Sequence, residues 1–481
     1  MLVQKTSQII YEDMIFTSDA ICCNTNSWLN FLEYGINNKG NVIVIYSHIC
    51  PEVLFVMLAS LSSEYIYLPI DIEIPLARVN KILSQVNVRV IITEKEYINA
   101  FEKYETCDIN KKLKVSNERL FKNQLGKGNA YILFTSGSTG VPKGVLVSKY
   151  ALERFINGTC KAISFSNIKS IICITSISFD IFFMESIFAL MMGWKVFLAS
   201  YIERRSPRII LKMIELYQID MLQVTPSRLK LIKILDPHFD ALKTIKLLMV
   251  GGEQLSILLL EELQKNLQCQ IYNAYGPTET TIWVSYKDIT NAKSVLIGKP
   301  IEGVSFYILD SNLSPVNKGE IGELCIAGST LAEGYICNKE ETSKKFLYAS
   351  NLGRFIYRTG DKCRVEDGNI MWLGRNDYQI KLRGYRIEIS EIEKCIEQYE
   401  LIDLCAVVYF EKNLSNKELL VCCVIPKKGY NIYDINKFIK IELPRYMWPD
   451  IVLELNAFPY TVGGKLDRNE LKNMVLAMIS S

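Results

Sequence analysis

The alternation of β-branched apolar runs with stretches of helical spacing limits this chain more than any other feature. Residues 41–46 read as a buried strand, and residues 51–61, which open on Pro51, as the helix after it. Residues 65–69 form a short strand, 76–85 have helical spacing, and 88–93 are a further β-branched run. Such a βαβα rhythm argues for a parallel sheet covered by helices. The polar stretch 107–129, rich in Lys and Asn, reads as a surface connection. The pattern then returns, with strands at 170–174, 220–224, 245–249 and 270–273 and a helix at 181–192. From 295 to 326 short strands and turns take over, which predicts a more antiparallel unit. A last unit begins near Asp377. There Ser390 is placed to cap a helix with Glu393 completing the capping box, strands follow at 406–409 and 419–425, and a helix spans 432–441. With 481 residues the chain needs two or three packed units.

Composition removes several function classes. Hydrophobic residues are 49% and charged residues 22%, a globular balance, and a net charge of +3 carries no nucleic-acid footprint. The fourteen cysteines include no Cys-x-x-Cys pair, and Cys173, Cys325 and Cys405 sit in apolar runs, so they read as small buried hydrophobes of a reducing compartment. No apolar signal region follows Met1, and the most apolar stretch, 177–199, contains Asp180, Glu185 and Lys195, so a buried helix is expected rather than a membrane span. These readings place the protein in the cytoplasm. Only two histidines are present, His48 and His238, which disfavours Ser-His-Asp hydrolysis and His-rich metal sites.

The chemistry concentrates first at residues 135–144. The apolar run 131–134 leads into Thr135-Ser136-Gly137-Ser138-Thr139-Gly140-Val141-Pro142-Lys143-Gly144, and 145–147 leads out as a strand. Glycines here free backbone N–H groups to form an anion nest, the hydroxyls add donors, and Lys143 adds charge. A Walker loop would follow its lysine with Ser or Thr and a helix; here Gly144 and a strand follow, so this is a different phosphate device. On composition alone a flexible hairpin loop is the favoured reading.

Four further segments follow in order. In Asn273-Ala274-Tyr275-Gly276-Pro277-Thr278-Glu279-Thr280, Tyr275 offers a face to a purine, Thr278 a hydroxyl to phosphate and Glu279 a hard oxygen ligand for Mg2+. In Tyr357-Arg358-Thr359-Gly360-Asp361, Asp361 can accept both hydroxyls of a ribose. Gly374-Arg375-Asn376-Asp377-Tyr378-Gln379-Ile380-Lys381 comes next, and Gly463-Gly464-Lys465-Leu466-Asp467-Arg468 closes the series.

Together the loop and its companions resemble the adenylate-forming superfamily, which includes acyl-CoA synthetases, luciferases and the adenylation domains of nonribosomal peptide synthetases. The match covers most of the chain, from about Tyr65 to Arg468. The resemblance implies ATP and Mg2+ as cofactors. It implies a large N-terminal domain over residues 1–376 and a small mobile C-terminal domain over 377–481, with Asp377 as the hinge. Thr135, Ser136, Gly137, Ser138, Thr139, Gly140, Lys143, Asn273, Tyr275, Thr278, Asp361, Trp372 and Arg375 would then bind nucleotide. Lys465, Lys143 and Glu279 would carry catalysis, with Glu279 holding the metal and Lys465 stabilising charge between an attacking carboxylate and the α-phosphate.

The resemblance also bears on which acid is used. An Asp at position 180, after Phe179, pairs with the substrate ammonium in amino-acid-activating members and is generally lacking in others. The implied pocket is Asp180, Ile181, Met184, Gln223, Met249, Gly251, Ala274, Ile282, Trp283 and Lys465, which is similar to the glycine-type pocket of peptide-synthetase adenylation domains. Trp283, Met184 and Met249 would fill the space beside the α-carbon, which favours glycine, then alanine. The acceptor implied is a phosphopantetheine thiol on a carrier protein, in trans or fused downstream, and the enzyme is expected to act as a monomer. An acyl- or aryl-CoA ligase is the alternative enzyme, and a nucleotide-binding scaffold the non-enzyme. The chain departs from the family pattern at Ser148-Lys149, where a histidine is common, and at Phe182, Gly463 and Trp372. The short N-terminus implies a reduced first strand layer.

Overall fold

A computed structural model describes residues 1–114, 118–137, 140–366, 368–411, 418–460 and 466–480. The chain divides into two compact units. The first comprises Met1–Ile72, Gln85–Phe134 and Gly144–Asn376; the second comprises Glu73–Ser84, Thr135–Lys143 and Asp377–Ser481.

The first unit holds the expected α/β architecture. One seven-stranded sheet has the order Gly334–Tyr335, Lys143–Ser148, Asn129–Thr135, Ile66–Asp71, Val42–Ser47, Val88–Thr93, Thr106–Asp108. From Asn129–Thr135 onward its strands pair in parallel. The strands Val42–Ser47 and Ile66–Asp71 are buried at every position, as strands covered on both faces must be. The helix Pro51–Ser62 between them has Pro at its first turn and is apolar on nearly every side, so it sinks completely into the core.

The nine-stranded sheet carries the middle of the chain. Its parallel run is Gln270–Tyr275, Leu247–Gly251, Met221–Val224, Ser170–Cys173, Lys195–Leu198 and Gln8–Tyr11, with antiparallel strands at both edges. The N-terminus therefore supplies two strands, Gln8–Tyr11 and Met14–Thr17, before the helix Ser18–Tyr34. One continuous apolar core joins residues of both sheets, among them Ile43, Val90, Ile171 and Leu247. The expected antiparallel unit is a five-stranded sheet that runs on from Val304–Leu309 to Asn369–Arg375. Among the described residues no helix is long and apolar enough to cross a membrane; residues 177–199 contain the buried helical run 181–191 and the strand Lys195–Leu198.

Lys149, which stands where the family often has a histidine, has a structural post. Its ammonium is buried and donates to the backbone carbonyls of Ser60, Ser63, Tyr65 and Lys127, at the end of the buried helix Pro51–Ser62. Burial pushes its pKa down to about 8.

In the second unit the hairpin Gln379–Leu382/Tyr385–Glu388 leads into the helix Ile389–Ile396, and the strands Ile402–Phe410, Leu419–Pro426 and Ile451–Glu454 form a sheet. The helix Ile432–Glu442 lies close to its expected bounds. The expected capping box does not form. The helix starts two residues early, Glu388 occupies the cap, and Glu393 instead accepts from the Val407 N–H and pairs with Arg468. Two short segments, Glu73–Ser84 and Thr135–Lys143, group with this unit although their sequence positions lie far upstream. A buried ion pair between Arg78 and Glu391, and an exposed one between Lys81 and Glu442 at 2.8 Å, account for the first of them.

Candidate functional site

In the first unit, several of the residues expected to line a substrate pocket stand on neighbouring parallel strands, toward their carboxyl ends. Met221–Val224 carries Gln223, Leu247–Gly251 carries Met249 and Gly251, and Gln270–Tyr275 carries Ala274. Register places Gln223 beside Met249, and Gly251 beside Ala274. Because strand side chains alternate, Met249 and Gly251 face one side together. Ligands of open α/β sheets bind outside such strand ends.

Trp283 reaches this row through an unusual turn. After the 3-10 turn Thr278–Thr280, both Thr281 and Ile282 take left-handed backbone conformations, φ +67° and +65°. Two successive β-branched residues there are strained, at roughly 1–3 kcal/mol each, and the surroundings must hold them. They do: the Thr281 hydroxyl donates to the Thr330 carbonyl at 2.7 Å, and Val284 N–H to Tyr275 O at 2.9 Å. Gly276 is required beneath the turn, since a Cβ there would meet Ile282 O at 2.3 Å. Gly251 is required by the indole, because its Cβ would lie 2.7 Å from Trp283 Cη2. Trp283, Met184, Met249, Ile282 and Ala274 are all buried. Asp180 is half-buried, in the turn before Ile181–Phe183. Its charge adds to burial in raising the phenol pKa of Tyr67 and Tyr131. The Tyr131 hydroxyl is buried and has no hydrogen-bond partner among the described residues.

A second cluster of the first unit gathers around Asp361. Its carboxylate accepts from the Tyr275 hydroxyl at 2.6 Å, Trp372 Nε1 at 3.0 Å and an Arg375 guanidinium N–H at 2.9 Å. Four of the expected nucleotide residues are thus joined in one half-buried network. Burial, with Asp361 beside it, lifts the Tyr275 hydroxyl pKa well above its usual range. Asn273 turns its amide to the Leu296 carbonyl at 2.8 Å. Glu279 is buried and accepts from the Tyr335 hydroxyl at 2.8 Å, a partner that sequence reasoning missed.

In the second unit Gly140 N–H donates to Gly137 O at 3.0 Å, and Gly140 has φ +83°. Gly137 can only be glycine, since a Cβ would strike Val141 O at 1.9 Å. The Gly137 N–H donates to Glu391 Oε2 at 2.9 Å, while the Ser136 hydroxyl donates to Arg386 O at 3.0 Å and accepts from Glu388 N–H at 3.1 Å. An N–H expected to face a phosphate is thus aimed at an anionic oxygen. Arg78, Arg386 and Glu391 were not expected here; nothing in residues so far apart in the chain signals that they meet. Thr278 is half-buried, in the first unit's 3-10 turn. Asp377 begins the second unit, and its carboxylate accepts from Gln379 N–H at 3.3 Å. Ser138, Thr139 and Lys465 lie outside the described residues.

A family of AMP-binding enzymes matches residues 19–336, well over half of the chain. The chain therefore belongs to that family and is an adenylate-forming ligase. It is 34% identical over 437 residues to a dimodular nonribosomal peptide synthase of Bacillus subtilis (strain 168), covering 88% of this chain and 18% of the relative. The chain thus spans under a fifth of that relative's length. Among solved structures it is similar to a four-domain nonribosomal peptide synthetase bound to AMP and glycine, with 28% identity, a TM-score of 0.71, and coverage of 95% of this chain and 34% of that one. It also shares the fold of an o-succinylbenzoate-CoA synthetase of Bacillus subtilis, with 17% identity, a TM-score of 0.86, and coverage of 98% and 96%.

Proposed function

We propose that this enzyme activates a small amino acid, glycine before alanine, as its aminoacyl-AMP and passes it to the phosphopantetheine thiol of a carrier protein. An oxygen of the amino-acid carboxylate attacks the α-phosphorus of ATP, the bond to the β-phosphate breaks, and pyrophosphate leaves. The thiolate then attacks the acyl carbon and AMP leaves. Asp361 takes the ribose hydroxyls, Tyr275 the adenine, Thr278 and the loop 135–143 the phosphates, and Arg375 the nucleotide. Lys143 holds the departing pyrophosphate, Lys465 meets the reacting carboxylate, and Asp377 is the pivot between the two steps. Mg2+ usually takes one or two carboxylates and fills its remaining positions with phosphate oxygens and water, which suits the single carboxylate of Glu279 with ATP beside it.

The observation that carries the amino-acid reading is the pocket row closed by the Trp283 indole over Gly251, with Asp180 near Tyr131, whose buried hydroxyl has no partner among the described residues. A filled pocket suits a hydrogen or a methyl on the α-carbon, and a half-buried carboxylate suits an ammonium. The glycine named in the 28%-identical synthetase, and the peptide synthase among the relatives, support the same reading.

Replacing Asp180 by alanine tests it. Losing one partner of a desolvated charge pair weakens binding by about 100-fold. Amino-acid-dependent ATP–pyrophosphate exchange by D180A should therefore fall by that order in kcat/KM for the amino acid, with the KM for ATP unchanged. An amino-acid kcat/KM equal to that of the unmodified enzyme would remove Asp180 from the ammonium site.

A further inference from the structure

Glu185 is fully buried in the first unit, within a π turn, Met184–Phe188, that interrupts the helical run 181–191. Such turns occur often at functional sites. Its carboxylate is saturated with donors. Oε2 accepts from Ile174 N–H at 2.8 Å and Thr175 N–H at 2.9 Å; Oε1 accepts from the Thr175 hydroxyl at 2.6 Å and Gln223 Nε2 at 3.0 Å. Gln223 Nε2 also donates to Ile181 O at 3.0 Å, and Gln223 Oε1 accepts from Trp283 Nε1 at 3.0 Å.

Only one orientation of the Gln223 amide satisfies these neighbours. Glu185 Oε1 and the Ile181 carbonyl can only accept from it, and an indole N–H can only donate. The carboxylate therefore dictates which way the amide faces, and the amide dictates where the Trp283 N–H points. The indole it fixes is the one packed over Gly251.

We propose that Glu185 is a specificity-positioning residue: through Gln223 it locks the Trp283 indole in the pocket and so sets the size of acid the enzyme accepts. This rests on the reading of that pocket as the substrate site. Of the partners given above, Gln223 is the one in the pocket row, so Glu185 acts through that amide.

Glu185→Gln is near-isosteric and turns one acceptor into a donor. With its carbonyl on the two backbone N–H groups, its NH2 meets the Gln223 NH2. Gln223 must then turn over, which sets N–H against the Trp283 N–H and C=O against the Ile181 carbonyl. The indole loses its tether. Excluding one methylene is worth about 10-fold or more in selectivity, so releasing the ring should cut the kcat/KM ratio of the preferred amino acid to the next larger one by about 10-fold. The rise should fall in the KM for the amino acid, with the KM for ATP unmoved.

The experiment is ATP–pyrophosphate exchange over the twenty amino acids for the unmodified enzyme, E185Q, Trp283→Phe and the double variant. Trp283→Phe removes the N–H and keeps most of the ring, so it should loosen selectivity similarly, and the double variant should lose little more than either single one. A selectivity profile for folded E185Q identical to that of the unmodified enzyme, or losses that multiply in the double variant, overturns the proposal. If E185Q does not fold, W283F decides: an unchanged profile overturns it. The unmodified enzyme's own profile judges the small-amino-acid reading separately, because the proposal is read from the change between profiles.

Discussion

Lys465→Ala is expected to lower adenylate formation by about 100- to 1,000-fold while ATP still binds. That range is what removal of one preorganised donor to developing charge costs. In the proposed reaction that charge builds between the attacking carboxylate and the α-phosphate, so the lysine would be worth most in the transition state and little in the ground state. The described residues on either side, Tyr460 and Leu466, pair as an antiparallel bridge, and Asp467 accepts from the N–H groups of Asn469 and Glu470 at the start of the helix Arg468–Ser480. The variant should therefore keep its melting temperature. Single-turnover formation of aminoacyl-AMP, measured beside ATP binding by calorimetry, separates the two effects. Adenylate formed at an undiminished rate would take the catalytic role away from Lys465.

Asp361→Ala is expected to act on both stability and nucleotide binding. Its carboxylate is the shared acceptor for Tyr275, Trp372 and Arg375, and its removal leaves a largely buried guanidinium without that partner. Breaking such a pair costs about 3 kcal/mol, and the ribose hydroxyls lose their acceptor as well. The KM for ATP should rise by about 10-fold or more, the loss of hydrogen bonds to a charged group. Asp361→Asn, which keeps one acceptor oxygen, should recover part of the stability and less of the ATP affinity. Thermal unfolding and ATP saturation check both. A D361A enzyme with unchanged KM for ATP would place the ribose elsewhere.

Much of the fold was legible because strand periodicity is a local property. The runs at 42–47, 66–71 and 88–93 are mostly apolar and are buried at every position but Arg89, as the strands of a doubly covered parallel sheet are. The failures are non-local. The box expected from Ser390 and Glu393 gave way to an Arg468 that lies far along the chain. Arg78 and Glu391 are separated by 313 residues, and no spacing rule joins them. The pocket residues were readable only through family likeness, since Gln223 alone looks like any polar residue in a strand. Glu185 did leave a trace. It is one of two carboxylates, with Asp180, inside the apolar stretch 177–199, and a carboxylate there must find donors once buried. What the sequence could not supply was the identity of those donors, because two are the backbone N–H groups of Ile174 and Thr175, one is the Thr175 hydroxyl and one comes from Gln223.

Exchange of labelled pyrophosphate into ATP, run with each of the twenty amino acids and with fatty and aryl acids, tests the central claim most directly. Glycine should drive the fastest exchange, alanine the next, and acids without an α-ammonium none. Exchange driven by a fatty or aryl acid and by no amino acid, or by a bulky or charged amino acid ahead of glycine, would contradict it.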